Sequence, residues 1–196
     1  MRKLWVCSLL VCSAFGFVAG IAQAQTACPI KLTITSNEVD GANVSSKAIV
    51  LIGLKVSTQA ANPTIASHDF YFVPMVPGDS YALTPGDDNN PITAATVAVV
   101  QFDDGTTWGN AALLATDEGL AGLIAQRPRM LELYKGGVAA YNQGGDTALI
   151  NYFTSALPHD AGGVAHKYLR VAQTSGGAAA ISLIQTRLNN VAVRSF

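Results

Sequence analysis

The apolar residues of this chain change period near Trp108, and that change limits what the chain can fold into more than any other feature. Before it, apolar and polar residues alternate, as on a strand with one buried face. In "IKLTITS" (30–36), Ile30, Leu32 and Ile34 share one side while Thr33 and Thr35 share the other. After the Asp40-Gly41 dipeptide, read as a turn, "KAIVLIGLKVST" (47–58) continues the pattern. Ala48, Val50, Ile52, Leu54 and Val56 lie on one face; Ile49, Leu51, Gly53, Lys55 and Ser57 lie on the opposite one. That second face starts apolar and ends polar, which predicts a strand buried between neighbours at one end. "HDFYFVPMV" (68–76), "SYALT" (80–84) and "TAATVAVVQF" (93–102) are three further strand candidates, separated by Pro77-Gly78 and Pro85-Gly86. Short β-branched strands punctuated in this way predict an antiparallel β-sandwich over residues 25–110.

The last of these strands runs into "FDDGTTW". Two adjacent carboxylates, Asp103 and Asp104, invite a catalytic or metal-binding reading, but adjacent strand residues point to opposite faces and cannot converge on one atom. Asp-Gly is instead a strong hairpin signal, with positive φ expected at both of its central residues. The stretch is read as a turn.

Beyond residue 110 the spacing becomes helical. Thr116-Asp117-Glu118 has the make-up of a helix start, and Leu120, Leu123 and Ile124 follow at helical intervals. Pro128 is expected to break or restart that helix, with "RMLELYKGGVAAYNQ" resuming it. Asp146 is placed to cap "TALINYFTSAL"; "AHKYLRVAQ" suits helix or strand, and "AAAISLIQTRL" closes the chain. Glycine pairs at 136–137, 144–145, 162–163 and 176–177 are expected to cut this half into short pieces, since each helical Gly costs about 1 kcal/mol relative to Ala. Residues 111–196 are therefore read as an α-helical extension packed on or beside the sandwich.

Location follows from the first residues. Met1-Arg2-Lys3, an apolar run from Leu4 to Ile21, and the small residues of Ala22-Gln23-Ala24 compose a secretory signal peptide (1–24), with the mature chain expected to start at Gln25. Ser8, Ser13, Gly16 and Gly20 interrupt the run, whereas a membrane span needs roughly 20 strongly apolar residues, so no span is expected once the signal is removed. Cys7 and Cys12 leave with the signal; Cys28 stays alone, which precludes an intrachain disulfide. Residues 25–108 carry eight acids against three Lys or Arg, a balance of −5, and residues 109–196 carry five acids against seven, a balance of +2. Neither half has a basic run interleaved with aromatics, so nucleic acid is not an expected partner.

Chemistry-bearing residues are few. His159, Asp160 and His166 are the only cluster with metal-ligand residue types, but their spacing fits no zinc signature and they are read as surface polar residues. "PGDDNNP" (85–91) lacks the closing acid of a calcium loop. His68-Asp69 is read as the opening of a strand, with diverging side chains. No Ser lies in G-x-S-x-G, and Cys28 has no local base. Trp108, Tyr134, Tyr141 and Tyr152 are read as packing residues rather than a stacking platform. No catalytic, cofactor-binding or metal residue is assigned, and no cofactor is expected.

"NVSSKAI" leading into a long strand, "VPGDSYAL" as an edge turn and the closing "VQFDDGTTW" together resemble secreted bacterial sandwich modules of the FxLYD type. The resemblance covers residues 30–108 and none of the second half. The nearest equivalent of the motif itself is "HDFYFV". It implies an immunoglobulin-like sandwich without catalytic activity. The resulting expectation is a secreted or periplasmic binding or scaffolding module of the cell envelope, its partner an envelope or extracellular protein or a glycan. The alternative is a secreted hydrolase with a site between the sandwich and the helices, around His159 and His166.

Overall fold

A computed structural model describes residues 27–35, 38–59, 62–83, 90–160 and 163–194. Residues 1–24, expected to be a signal peptide, and most of "PGDDNNP" lie outside the described residues. Seven strands form two antiparallel sheets. β1 (Ile30–Ile34), β2 (Val39–Asn43) and β5 (Ser80–Leu83) make the first, in the order β1-β2-β5. β3 (Ile49–Thr58), β4 (Thr64–Asp69), β6 (Ile92–Phe102) and β7 (Thr107–Gly109) make the second, in the order β4-β3-β6-β7. Ile30 and Val39 of the first sheet meet Ile52, Leu54, Val56 and Val100 of the second in one buried core. The expected antiparallel sandwich is present.

Three strand assignments need correction. Asp40-Gly41 is not a turn but the middle of β2, where Asp40 pairs with Thr33 and Gly41 with Leu32. The reversal lies just before it, bracketed by the Thr35 N–H donating to the Glu38 carbonyl at 2.8 Å. A side chain at position 41 would come within 3.3 Å of Ile30, so Gly41 serves close packing across β1 and β2. Only His68 and Asp69 of "HDFYFVPMV" are strand, and they end β4 rather than open it. Residues 70–76 leave the sheet, held to it by paired bonds between Ile49 and Met75 at 3.0 and 2.9 Å. In β3, an irregularity between Ile49 and Leu51 puts Ile49 into the sandwich core, against the strict alternation. A buried amide secures the approach to β3: Asn43 donates to the carbonyls of Lys47 and Met75 and accepts from Ser45, so both of its ends are satisfied.

The Asp104-Gly105 turn is present in a different form. Gly105 alone has positive φ (81°); Asp104 does not. Phe102 accepts from the Gly105 N–H at 3.1 Å and donates to the Thr106 carbonyl at 2.9 Å. This is a three-residue hairpin closed by a left-handed glycine. A β-branched side chain is strained at that φ, so Gly105→Val should lower unfolding free energy by more than ~1 kcal/mol in urea titration.

The second half is helical. After a short turn, α1 (Leu113–Thr116), comes α2 (Glu118–Ala156), with Asp117 capping it by accepting the Leu120 N–H at 3.0 Å. Pro128 does not break α2. It is exposed, and the helix is clamped on both sides of it, by Leu120 on the sheet and by Tyr134 in the helical core. The glycines at 136–137 do not cut it either. The actual bend is at Gly144 and Gly145, whose φ, ψ of −152°, 22° and 61°, −147° are non-helical, dividing α2 into arms 118–143 and 146–156. Gly136 and Gly137 are where the second arm folds back on the first: a Cβ at 136 would strike the Tyr152 hydroxyl, and one at 137 the Phe153 ring. α3 (Val164–Ser175) and α4 (Gly177–Ala192) complete the bundle. Asp146 caps α4 rather than its own helix, accepting the Gly177 N–H at 3.0 Å.

Apolar packing joins the halves at two places. Leu120 packs on Leu51 and Val99, on the face of the four-stranded sheet away from the sandwich core. Phe72, from the segment after β4, enters the helical core edge-on to Tyr134, with ring centroids 4.9 Å apart. No described helix is long and apolar enough to cross a membrane.

Candidate functional site

The segment that carries Phe72 into the helices also lines a gap between the sandwich and the bundle. Between them lies an open cleft of about 570 Å³. β4 contributes Ser67, His68 and Asp69, and the start of β5 contributes Ser80 and Tyr81. Across from them, Leu123, Gln126, Met130 and Tyr134 form a stripe along α2, spaced by three and four residues as one helical face requires. The beginning of α3 supplies Val164, Lys167 and Tyr168, and α4 supplies Arg187.

Aromatic rings line both sides. Tyr81 meets Phe70 edge-on at 4.7 Å and His68 at 5.4 Å; opposite them, Tyr134 meets Tyr168 edge-on at 5.5 Å. Tyr134 and Tyr168 are almost wholly buried, at 2% and 1% exposure. Burial pushes both phenols above their ordinary range, against the opposing pull of the Arg187 charge. Both hydroxyls thus stay protonated in neutral solution. Among the described residues, no aligned hydrogen bond satisfies the Tyr168 hydroxyl. Burial also lowers the His68 ring below its ordinary value, which keeps it neutral at pH 7.

The carboxylates at the cleft have other partners. Asp69 forms a bidentate pair with Arg127, at 2.9 and 3.2 Å, and accepts the Tyr71 N–H at 3.0 Å. Asp79 accepts the Val76 N–H at 3.0 Å. Behind Asp69, the guanidiniums of Arg127 and Arg194 lie 4.5 and 5.2 Å from the centre of the Tyr71 ring, and Arg194 donates to the Tyr71 carbonyl. These contacts fasten the segment after β4, and with it one wall of the cleft, to the helices.

The residues singled out in the sequence fall mostly elsewhere. Asp104 takes the Lys47 ammonium at 2.7 Å and the Thr106 hydroxyl, which hold its carboxyl down at about 2. Asp103 acts electrostatically on Arg194, so the two neighbouring acids serve different partners. Asp160 accepts the N–H groups of Ala165 and His166 at the start of α3 and pairs with the His166 ring at 3.0 Å. Burial raises its carboxyl, but these bonds outweigh it and hold the pKa low. His166 and His159 are exposed and neither lines the cleft; the His159 backbone carbonyl accepts from Arg129. Among the described residues, no group of His, Cys, Asp and Glu is arranged to hold a metal. Trp108 and Cys28 pack against the sandwich core, and the Cys28 thiol donates to the Ile30 carbonyl at 3.2 Å.

The junction is where a hydrolase site would have been sought. His68 shares it with Ser67 and Ser80, yet among the described residues no hydrogen bond links its ring to a serine or a carboxylate. Sequence reasoning missed Lys167, Tyr168 and Arg187: the first two are neighbours on α3, the third is on α4, and only packing brings the two helices to one cleft. The one available signal was the stripe Leu123, Gln126, Met130, Tyr134, in which a polar Gln interrupts an otherwise core-like face. No family model, curated protein or solved structure matches the chain.

Proposed function

We propose that this chain is an exported, non-catalytic binding module of the cell envelope, and that the cleft between its sandwich and its helical bundle is the binding site. The observation that carries this reading is the cleft itself. Its volume of about 570 Å³ lies within the range of small-molecule sites, and it combines aromatic walls with a few polar groups. It also sits at a junction of two substructures, a preferred place for such sites. The signal-like N-terminus supports export. Two facing antiparallel sheets of three and four strands support an immunoglobulin-like sandwich, an architecture common in cell-surface recognition modules. The partner, a small molecule or a side group of an envelope protein or glycan, enters the cleft from its open side.

The mature chain offers a direct test. Its two methionines, Met75 and Met130, both line the cleft. With both methyls isotope-labelled, NMR screening of a fragment set balanced among neutral, cationic and anionic members should give saturable shifts at Met130. Those shifts should vanish in Gln126→Trp, which fills the cleft from the exposed side of the stripe. Absence of saturable shifts, or shifts that survive Gln126→Trp, would remove the cleft as the binding site.

A further inference from the structure

We infer that the cleft binds an organic anion, with its carboxylate or phosphate received by Arg187, Lys167 and the Tyr168 hydroxyl and its apolar body laid against Tyr81 and Met130. This rests on the cleft being a binding site and adds the chemical class of what it binds.

The cations of the cleft, Lys167 and Arg187, lie on its helical wall, across from Asp69 and Asp79. Among the described residues, no carboxylate forms an ion pair with Arg187 or Lys167. Of the two acids at the cleft, Asp69 is neutralised by Arg127, while Asp79 accepts the Val76 N–H and keeps its charge on the wall away from the two cations. Arg187 and Lys167 are also close enough to repel: burial, Arg187 and Arg170 all press the Lys167 ammonium below its ordinary pKa. Bringing an anion between them relieves that repulsion. A cationic ligand would add to it.

The third group is the buried Tyr168 hydroxyl. The Tyr134 hydroxyl and the Arg187 guanidinium both stand close enough to act on it as hydrogen-bonding neighbours, yet among the described residues neither is aligned to satisfy it. An unsatisfied buried hydroxyl costs roughly 1–3 kcal/mol, so an acceptor brought to it from the cleft is favoured. Because it stays protonated, its role toward an anion is to donate. A planar guanidinium beside a hydroxyl donor suits the two oxygens of a carboxylate or of a phosphate. The surroundings exclude a bare inorganic ion as the intended occupant. The cleft is far larger than one anion, and its opposite wall is aromatic at Phe70 and Tyr81.

Titration of the mature chain, followed at the Met130 methyl, tests this with four probes: 4-phenylbutyrate, its neutral amide, phenyl phosphate and inorganic phosphate. The expected result is saturable binding of both organic anions, at least about tenfold tighter than the amide, with the affinity falling as NaCl is raised. Arg187→Gln should remove most of that preference. Lys167→Gln, at an exposed position, should weaken the anions in the same direction without disturbing the fold. Equal binding of acid and amide, or an unchanged preference in both variants, would overturn the inference and leave the cleft as a charge-blind binding site. Inorganic phosphate binding as tightly as phenyl phosphate would also overturn it, since the apolar wall would then contribute nothing. If none of the four probes moved Met130, the inference would fall, and a blank fragment screen beside it would show that the cleft reading had fallen as well.

Discussion

Replacing Arg127 with alanine should destabilise the protein by about 3–5 kcal/mol, as expected when one partner of a buried ion pair is removed. The Arg127 and Asp69 side chains are only 10% and 8% exposed. The guanidinium gives Asp69 two hydrogen bonds, donates a third to Gln101 at 3.2 Å, and lies over Tyr71. Alanine would leave the Asp69 carboxylate buried with little more than the Tyr71 N–H as donor. It would also loosen the segment that sends Phe72 into the helices, so the sandwich and the bundle would lose their common wall. Urea unfolding of the single variants and of Asp69→Asn/Arg127→Met gives the pair's coupling. The double variant should be less destabilised than the sum of the singles, because removing both charges leaves neither one stranded. A loss below about 1 kcal/mol for Arg127→Ala would place the pair among ordinary surface bridges and undo this account of the junction.

The second large effect lies within the bundle. Phe153 is fully buried where the two arms of α2 face each other, and Phe153→Ala should cost about 3–5 kcal/mol. Its neighbour across the gap is Gly137. In an open helix Gly→Ala is stabilising by roughly 0.5–1 kcal/mol. Here a Cβ would stand 2.8 Å from the Phe153 Cζ and 3.6 Å from the Ile184 Cδ1, so the substitution should destabilise by about 1–3 kcal/mol. In the Phe153→Ala background the obstructing ring is gone, and Gly137→Ala should then recover stability. That reversal of sign, read from chemical unfolding of the four proteins, is specific to close packing. If Gly137→Ala stabilised the native chain, the glycine would have no packing role and the pair at 136–137 would need another explanation.

Gly137 also shows how far local patterns carry. Read along the chain, paired glycines are helix breakers, and those at 144–145 and 176–177 do interrupt helices, as positive φ at Gly145 and Gly176 requires. The pair at 136–137 has the same composition and the opposite use: it lets a second arm approach. Pro128 was misread for a similar reason, since its intrinsic cost is overridden where both flanking turns are anchored by packing. Asp146 has the residue type of a cap, but the N–H it receives belongs to Gly177, distant in sequence.

Period and turn chemistry established the broad outline: strands before Trp108, helices after it, and the reversal at Gly105. These are effects of neighbouring residues, since alternation, helical spacing and left-handed φ depend on positions within a turn or two of one another. The cleft is not of that kind. His68 is on a strand, Tyr134, Tyr168 and Arg187 are on three different helices, and nothing within any one segment marks them as a group. Their convergence follows from Leu120 seating α2 on the sheet, Phe72 crossing into the bundle, and the Asp69–Arg127 pair fastening the two. Each is a contact between residues far apart in the chain. Such contacts become favourable only after the chain has closed the intervening loops, which is why no reading of adjacent residues reveals them.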